Sequence, residues 1–368
     1  MSRPARALLD ANALRHNLER VRYYAPQSKI LAIVKANAYG HGIVWAARAL
    51  RKANAFGVAS IEEGIELRTS GVTQPICLLE GFFEASEIPL LIQHKLDTVV
   101  HHEAQVAALE QMPASAAATL DVWLKIDTGM HRLGFAPAIA PTMHARLTAC
   151  KGVRRVRFMT HFANADNTFD STTPAQIERF TAAISAGETG AGSGERSLAN
   201  SAGIVAWPAS RLEWVRPGIM LYGVSPLIGR SAAELGLKPV MSLASAVIAV
   251  HRLRKGDAVG YGGDWISPED MPVAVVAIGY GDGYPRQLAA GTPVLLNGRR
   301  VSLIGRVSMD MITLDLRAQP DARVGDPVVL WGAGLPVEEI AARAGTIGYS
   351  LLCGVTPRIP RVEASAHA

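Results

Sequence analysis

Short apolar runs alternate with helical patterns of apolar residues along the chain as far as about residue 225. Eight of these runs have the length of a strand, and they cover 29–35, 55–59, 75–79, 97–100, 119–126, 155–160, 196–199 and 213–216. Strands that alternate with helices in this way form repeated units around a parallel sheet. Because eight such units are enough to close a barrel, we predict an α/β fold in which residues 1–228 form a (β/α)8 TIM-like barrel.

Local signals refine the first half of the chain. Asp10 precedes the first helical pattern, where its carboxylate can cap the exposed amides of a helix start. Ser60 and Glu63 have the spacing of a capping box at the start of a later helix. An extra strand at 6–10 precedes the barrel, and the Gly-rich stretch 187–195 predicts a flexible loop.

The pattern changes after about residue 229, where helical periodicity gives way to short runs rich in Val, Ile and Leu. These runs cover 241–253, 272–280, 292–305, 311–316 and 327–332. Asn297-Gly298 separates two of them and is a strong hairpin signal, since both residues tolerate positive φ. We predict that residues 229–368 form an all-β C-terminal domain, joined to the barrel through a linker at 225–239.

Composition and charge narrow the class of protein. Of 368 residues, 49% are hydrophobic and 19% charged, and the net charge of +5 is scattered along the chain. A scattered charge is not the footprint of nucleic-acid binding. We find no run of 18 apolar residues and so expect no membrane span, and residues 1–30 lack a secretory pattern. The three cysteines are far apart, which predicts no disulfide framework and fits a reducing cytoplasm.

Polar residues follow the predicted barrel strands. Active sites of such barrels lie where strands end and loops begin, so these side chains are expected to converge on one mouth. They are Lys35, Tyr39, His41, Asp127, Arg132, His161, Asn164, Asn200, Ser201, Arg216 and Gly218. No group of His, Cys and Asp has the spacing of metal ligands, and we predict no catalytic metal.

Lys35 ends an apolar strand, and an amine at a barrel mouth can form a Schiff base with a carbonyl group. Such a lysine can equally extend to solvent or pair with a carboxylate. Ser201 lies at a predicted helix start, and Gly218 exposes backbone amides in the next loop. The loops after the last two strands often bind phosphate, although both stretches also fit an ordinary helix cap and turn. A lysine opposite a phosphate site favours pyridoxal phosphate as cofactor.

Six stretches of the chain resemble the signature sequences of the bacterial alanine racemase family. They are 33-IVKANAYGHG-42, 125-KIDTGMHRLGF-135, 216-RPGIMLYG-223, 258-AVGYGGDW-265, 279-GYGDGYPR-286 and 305-GRVSMDM-311. The resemblance spans nearly the whole chain, and the stretches occur in the family's order. It implies a fold-type III pyridoxal-phosphate enzyme that acts on alanine as a head-to-tail homodimer, with each active site built from both chains.

The resemblance also implies the catalytic residues. Lys35 would hold the cofactor through its amine, and Tyr261 of the partner subunit would face it across the cofactor plane. Racemisation removes a proton from one face of Cα and returns it on the other, which two bases on opposite faces accomplish. A phenol is protonated in neutral water, so the tyrosine needs help, and His161 is the family's candidate to hydrogen-bond it, followed by Arg216. Arg216 would also face the pyridine nitrogen without readily giving it a proton.

Further residues are assigned by the same matches. The cofactor-binding set comprises Lys35, Tyr39, Asn200, Ser201, Arg216, Gly218, Ile219 and Tyr349. The substrate-binding set comprises Arg132 and, from the partner subunit, Met309 and Asp310. Tyr280 and Tyr284 would narrow the entrance, although these tyrosines also fit a role in packing alone. Lys125 corresponds to a lysine that is often carbamylated beside the arginine; the alternative is an unmodified lysine paired with Asp127.

Two other interpretations are compatible with part of the sequence. A broad-specificity racemase or a related decarboxylase would share the barrel and the lysine. Such decarboxylases carry a cysteine motif in the β domain, and none of Cys77, Cys150 and Cys353 lies in one. A non-enzymatic carrier of pyridoxal phosphate would resemble only the first half of the chain. The sequence does not separate synthesis of D-alanine for peptidoglycan from its breakdown.

Overall fold

The computed structural model describes residues 3–112, 120–185 and 194–364, so most of the predicted loop at 187–195 lies outside it. A first strand, β1 (Arg6–Leu9), precedes eight parallel strands that close into a barrel. The barrel strands are β2 (Lys29–Ile33), β3 (Ala55–Val58), β4 (Ile76–Leu78), β5 (Leu96–Val100), β6 (Leu120–Lys125), β7 (Val153–Met159), β8 (Arg196–Ser197) and β9 (Trp214–Val215). The predicted barrel is confirmed, with every strand in its predicted place.

Helices connect the barrel strands. They are α1 (Ala11–Tyr24), α2 (Lys35–Tyr39), α3 (Ile43–Ala49), α4 (Ile61–Thr69), α5 (Ile88–Gln93), α6 (Glu103–Glu110), α7 (Ala140–Ala149), α8 (Thr172–Ser185) and α9 (Ser201–Ala206). Asp10 caps α1 as predicted, because its Oδ1 accepts from the amides of Asn12 and Ala13 at 2.8 and 2.9 Å. None of the described helices combines the length and the apolar character that a membrane span requires.

The predicted capping box at the start of α4 is wrong. Ser60 occupies the N-cap position, but its side chain makes no capping hydrogen bond. The Glu63 carboxylate instead accepts from the amide of Ala59, at the end of β3, and from that of Ala36 in α2. Spacing along one helix cannot show that a neighbouring loop competes for the same carboxylate.

The C-terminal half is rich in sheet. Its strands are β10 (Met241–Leu253), β11 (Ala258–Val259), β12 (Trp265–Ile266), β13 (Met271–Val276), β14 (Pro293–Leu296), β15 (Arg299–Ile304), β16 (Ile312–Asp315), β17 (Pro327–Trp331) and β18 (Arg361–Glu363). The hairpin at Asn297-Gly298 is confirmed, with φ of 50° and 75° between β14 and β15. Two short helices, α10 (Val337–Arg343) and α11 (Gly348–Gly354), add to the predicted strands.

The main C-terminal sheet has the order β13-β16-β15-β14-β17-β10-β1-β18, and β10 also pairs with β13. The strand β1 therefore belongs to this sheet, although the sequence places it directly before the barrel. It runs antiparallel to β10 and parallel to β18. The start of the chain thus ties the C-terminal sheet to the barrel.

Two regions of apolar packing determine where the site can lie. The barrel interior is filled by Leu31, Ile33, Ala55, Cys77, Val99, Trp123, Met159 and Trp214. A larger core joins the outer faces of the barrel strands to the helices and to the C-terminal sheet. Because the interior is packed, the loops at the carboxyl ends of the strands are the part of the barrel that is left to bind a ligand.

Candidate active site

Lys35 follows β2 at the barrel mouth and begins an unusual turn. The next four residues, Ala36, Asn37, Ala38 and Tyr39, all have φ between 51° and 53°, which is left-handed backbone. The Lys35 Nζ lies 3.6 Å from Glu80 Oε1, and both side chains are partly exposed. The structure thus gives Lys35 a carboxylate partner, which was one of the alternatives for this lysine.

Tyr39, Ser201 and Gly218 form a polar corner next to this turn. The Gly218 amide donates to Ser201 Oγ at 2.9 Å. A Cβ at Gly218 would lie 2.5 Å from Tyr39 Oη, so only glycine leaves room for the phenol. Burial raises the pKa of Tyr39, which keeps its hydroxyl protonated as a donor. The Ile33 amide donates to Pro217 O at 2.9 Å, which brings this corner beside the end of β2.

Three more predicted cofactor residues flank the corner. Ile219 is buried and begins the short 3-10 turn Ile219–Tyr222. Asn200 caps α9, since its side chain accepts from the Gly203 amide at 2.9 Å; this is the ordinary capping role that the sequence left open. Tyr349 lies on α11, and its ring centroid is 5.8 Å from that of Tyr39, so the C-terminal half contributes to the same corner. Burial raises the pKa of Tyr349 to about 12.

Arg216 is buried under the mouth and is held by backbone oxygens. Its Nη1 donates to Ser197 O and Oγ at 2.8 and 2.7 Å, and its Nη2 to Thr160 O at 2.5 Å. Among the described residues, no acceptor is bonded to Nε. Burial lowers the pKa of Arg216 to about 10, so the guanidinium is still charged near neutral pH. The site therefore contains a fixed cation, and among the described residues its Nε–H donor has no bonded acceptor.

His161 lies beside this cation. Arg216 Nη2 is 3.4 Å from His161 Nδ1. Burial, and then the charges of Arg216 and Lys125, hold the pKa of His161 well below its ordinary value, so the ring is neutral. A guanidinium can only donate, which makes Nδ1 the acceptor and assigns the ring proton to Nε2.

Lys125, at the end of β6, is buried near Arg132. Burial, followed by the positive charges of Arg216 and Arg132, lowers the pKa of Lys125 to about 8. The alternative pairing with Asp127 is wrong, because Asp127 accepts from the amides of its own loop and from His131 Nδ1 at 3.1 Å. Within the described parts of the chain, Lys125 has no ion-pair partner.

The residues predicted for the neighbouring subunit's site lie on the surface of the single chain. The Tyr261 side chain is 68% exposed and that of Met309 52%. Asp310 accepts from Arg358 Nη2 at 2.5 Å, and Tyr280 is partly exposed. No hydrogen bond or ring contact joins Tyr261 to the barrel mouth in the residues that the structure covers.

The entrance role predicted for Tyr284 is wrong. Its side chain is 0% exposed, and its ring stacks on Trp331 with the centroids 6.2 Å apart. Tyr284 is a packing residue of the C-terminal core. The spacing of Tyr280 and Tyr284 in the sequence does not distinguish them, because a short 3-10 turn at Tyr280–Asp282 directs the chain inward between the two.

Two carboxylates at the mouth were missed from the sequence. Glu80 follows β4, so the rule that identified the other mouth residues applied to it as well. Glu63 was assigned to a helix cap, although it bonds to the turn that follows Lys35. Glu80 could have been found from the sequence, because it directly follows a predicted strand. The contact of Glu63 with Ala36 exists only in the folded chain, so the sequence did not reveal it.

Comparison with known proteins gives a consistent result over both halves of the chain. Residues 9–226 match the family model "Alanine racemase, N-terminal domain", and residues 240–363 match "Alanine racemase, C-terminal domain". The chain is 52% identical over 356 residues to an alanine racemase of Vibrio cholerae, covering 96% of this chain and 97% of the relative. It is 51% identical over 357 residues to the biosynthetic alanine racemase of Escherichia coli, covering 96% and 98%.

Solved structures agree with these matches. The crystal structure of biosynthetic alanine racemase from Pseudomonas aeruginosa superposes with a TM-score of 0.93 at 48% identity, covering 99% of this chain and all (100%) of the other. The alanine racemase of Acinetobacter baumannii superposes with a TM-score of 0.92 at 39% identity, covering 98% and 100%. The similarity therefore includes the arrangement of the barrel and the C-terminal sheet.

Proposed function

The chain belongs to the alanine racemase family, and from this premise we propose that it interconverts L- and D-alanine with pyridoxal phosphate and two bases. The observation that carries the proposal is the barrel mouth, where Lys35 lies beside the polar corner of Tyr39, Ser201 and Gly218. An amine and a compact anion site side by side fit a phosphorylated aldehyde.

The residues present fit this cofactor. Tyr39 and Ser201 would bind its phosphate through their hydroxyls, and Gly218 and Ile219 through their amides, at the corner where Gly218 leaves room for the phenol of Tyr39. Tyr349 would close the corner from α11. Asn200 would act through the cap that shapes the start of α9. Bound at this site, pyridoxal phosphate withdraws electrons from Cα of the attached amino acid and makes its proton removable.

Arg216 would limit that withdrawal. Its Nε is the donor with no bonded acceptor among the described residues, and we assign it to the pyridine nitrogen. Because Arg216 stays charged near neutral pH, it would donate a hydrogen bond to this nitrogen without readily protonating it. Weaker electron withdrawal would disfavour side reactions such as transamination.

Two residues would move the proton. Lys35 Nζ takes the Cα proton of D-alanine on one face, and Oη of Tyr261 of the partner subunit takes that of L-alanine on the other. His161, whose Nε2 carries its ring proton, would donate a hydrogen bond to that phenolic oxygen. A donor at this position stabilises the phenolate and makes the tyrosine a stronger acid at neutral pH.

Arg132 would bind the substrate carboxylate, and Lys125 would hold Arg132. The pKa of Lys125, lowered to about 8, leaves part of its amine neutral and nucleophilic. Addition of carbon dioxide to that amine forms an N–C bond, releases a proton and replaces a cation with an anion. The carbamate would then pair with Arg132 where two cations otherwise repel each other.

The second subunit would complete each site. We propose a homodimer in which Tyr261, Met309 and Asp310 of the partner subunit face the mouth, with Tyr280 at the entrance. The exposure of Tyr261 and Met309 in the single chain supports this arrangement, since it leaves both side chains free to contact a partner subunit. A small pocket would favour alanine over larger amino acids.

We place the enzyme in the cytoplasm and assign it to the synthesis of D-alanine for peptidoglycan. The relatives from E. coli and P. aeruginosa are both described as biosynthetic. The three cysteines are free, as is usual in a reducing compartment. The substrate is a small molecule, and neither a membrane nor a nucleic acid takes part in the proposed reaction.

Isotope exchange tests the proposed chemistry. Purified enzyme incubated with L-alanine in deuterated water should yield both enantiomers with deuterium at Cα, measured by chiral chromatography and mass spectrometry. Exchange without inversion would indicate a single base. Release of carbon dioxide would indicate a decarboxylase, and bound cofactor without either reaction would indicate a carrier.

Replacement of the second base tests its assignment. Tyr261→Phe should lower turnover from L-alanine by about a hundredfold or more, because a positioned base contributes that much, while the visible absorbance of the bound cofactor is retained. Tyr23→Phe is the matched control, since Tyr23 is 69% exposed on α1. Normal turnover by Tyr261→Phe would exclude this residue from the mechanism.

A further inference from the structure

The turn that follows Lys35 is backbone that needs support. Ala36, Asn37, Ala38 and Tyr39 carry side chains, yet all four adopt left-handed φ and ψ. In this conformation Cβ comes close to the following carbonyl oxygen, and residues other than glycine rarely adopt it in succession. A run of four persists only where its surroundings hold it.

The end of the turn is held by contacts that lie beyond it in sequence. Asn37 Oδ1 accepts from the Ile43 amide at 2.8 Å. His41 Nδ1 lies 2.9 Å from the carbonyl oxygens of both Ala38 and Tyr39, and because both are acceptors, it donates to them. None of these bonds involves the amide of Ala36, the residue directly after Lys35.

The start of the turn is held by Glu63. Its Oε1 accepts from the Ala36 amide at 2.7 Å and from that of Asn37 at 3.4 Å. Its Oε2 accepts from the Ala59 amide at 2.8 Å, where the chain leaves β3. One carboxylate thus joins the residue after Lys35 to the neighbouring barrel strand. Within the described ranges, no other side chain bonds to the Ala36 amide.

We propose that Glu63 is a positioning residue for the reaction: it holds the turn so that Lys35 Nζ is directed into the barrel mouth. The proposal rests on the proposed role of Lys35 in holding the cofactor. A carboxylate suits the task because both of its oxygens accept, and here each binds a different segment. Glutamine offers one acceptor, and its NH2 group would face a backbone amide that also donates.

The helix that carries Glu63 has its own anchors. Ile61, Gly64 and Leu67 bury one face of α4 against the barrel, whereas Glu63 is only half-buried. A change at Glu63 is therefore expected to release the turn and to leave the helix in place. Glu62, the preceding residue, is exposed and makes no bond to the turn, so Glu62→Gln is a matched control.

Hydrogen exchange on the full-length protein, freed of cofactor, measures the turn directly. In Glu63→Gln the amides of Ala36 and Asn37 should exchange about tenfold faster, the effect expected from losing one charge-assisted hydrogen bond. Glu62→Gln should exchange like wild type, and Glu63→Asp, which keeps the charge on a shorter side chain, should be intermediate. Equal exchange in all four proteins would overturn the proposal, and Glu63→Asp serves as the test if Glu63→Gln does not fold.

Cofactor capture then connects the turn to Lys35. After pyridoxal phosphate is added back, borohydride reduction and peptide mass spectrometry give the rate at which Lys35 is modified. This rate and kcat should both fall about tenfold in Glu63→Gln, with KM for alanine changed by less than about twofold. A loosened turn with unchanged capture and unchanged kcat would also overturn the proposal. Absence of Lys35 modification in wild type would instead refute the proposed function, so the two failures are distinguishable.

Discussion

The polar corner formed by Tyr39, Ser201 and Gly218 leaves no room for an additional atom at Gly218. Gly218 has no side chain, and Tyr39 Oη lies in the space beside it, only 2.5 Å from the position that a Cβ would take. Glycine at this position therefore leaves room for the phenol of Tyr39.

Gly218→Ala should weaken binding of pyridoxal phosphate by about tenfold or more, since an extra methyl group in a packed site typically costs 1–3 kcal/mol. Dissociation constants from cofactor titration, followed by absorbance, would measure the effect. Gly354→Ala is the control, because a Cβ at Gly354, at the end of α11, meets no atom within 4 Å. Equal affinity in the two variants would contradict the assignment of this corner.

Residue identities at the mouth were largely predictable from the sequence. Lys35, Arg216 and Ser201 were located because each follows a strand whose apolar run is visible. Glu63 and Tyr284 were misassigned, since the partners that define them are distant in sequence or belong to another loop. The spacing of residues in the sequence indicates where a side chain lies along a helix or strand. It does not indicate which group, distant in sequence, forms a contact with that side chain.

A buried cluster of charged residues lies between neighbouring strands at the end of the barrel opposite the mouth. Arg157 on β7 bonds to Asp121 on β6 at 3.0 Å and to Glu195 at 2.7 Å, and it lies 3.6 Å from Asp97 on β5. Three carboxylates thus surround one guanidinium. Burial, and then the charge of Asp121, raise the pKa of Asp97 from 3.8 to about 7.

This shift predicts a pH dependence of stability. The folded protein binds a proton at Asp97 more tightly than the unfolded chain, so this group's contribution to stability is lost as pH rises from about 4 to about 7. Asp97→Asn imitates the protonated form, and its melting temperature relative to wild type should be higher at pH 8 than at pH 5. Asp321→Asn, at an exposed position, is the control. A difference that is the same at both pH values, or larger at pH 5, would show that Asp97 is ionised throughout.

The elements themselves follow from local pattern. The barrel strands and the hairpin at Asn297-Gly298 were predictable because strand length and turn chemistry depend on neighbouring residues. The short strands β11 and β12 and the helices α10 and α11 were missed. Strands of two residues and helices of seven are too short for periodicity to show.

If the proposed site is correct, the barrel mouth of one subunit must face the C-terminal half of its partner. Lys35 lies at the barrel mouth, while Tyr261 is exposed on the C-terminal half. A head-to-tail dimer would bring each surface to the other subunit and make two equivalent sites.

Complementation between inactive variants tests this arrangement. When Lys35→Ala and Tyr261→Phe are co-expressed, random pairing should make about a quarter of all sites native and restore about that share of activity. Lys35→Ala co-expressed with Arg132→Ala should restore none, because both residues would come from the same chain. Recovery in both pairs, or in neither, would contradict a site shared between subunits.

The sequence by itself determined the order of elements, the barrel, the sheet-rich second half and most residues of the mouth. These features depend on interactions within a few residues, which periodicity and turn chemistry record. The tertiary structure alone decided that β1 pairs with β10 and β18, that Asp127 serves its own loop and not Lys125, and that Glu63 supports the turn after Lys35. Such contacts depend on which residues, distant in sequence, lie next to each other in the folded chain. The spacing of neighbouring residues in the sequence does not determine this.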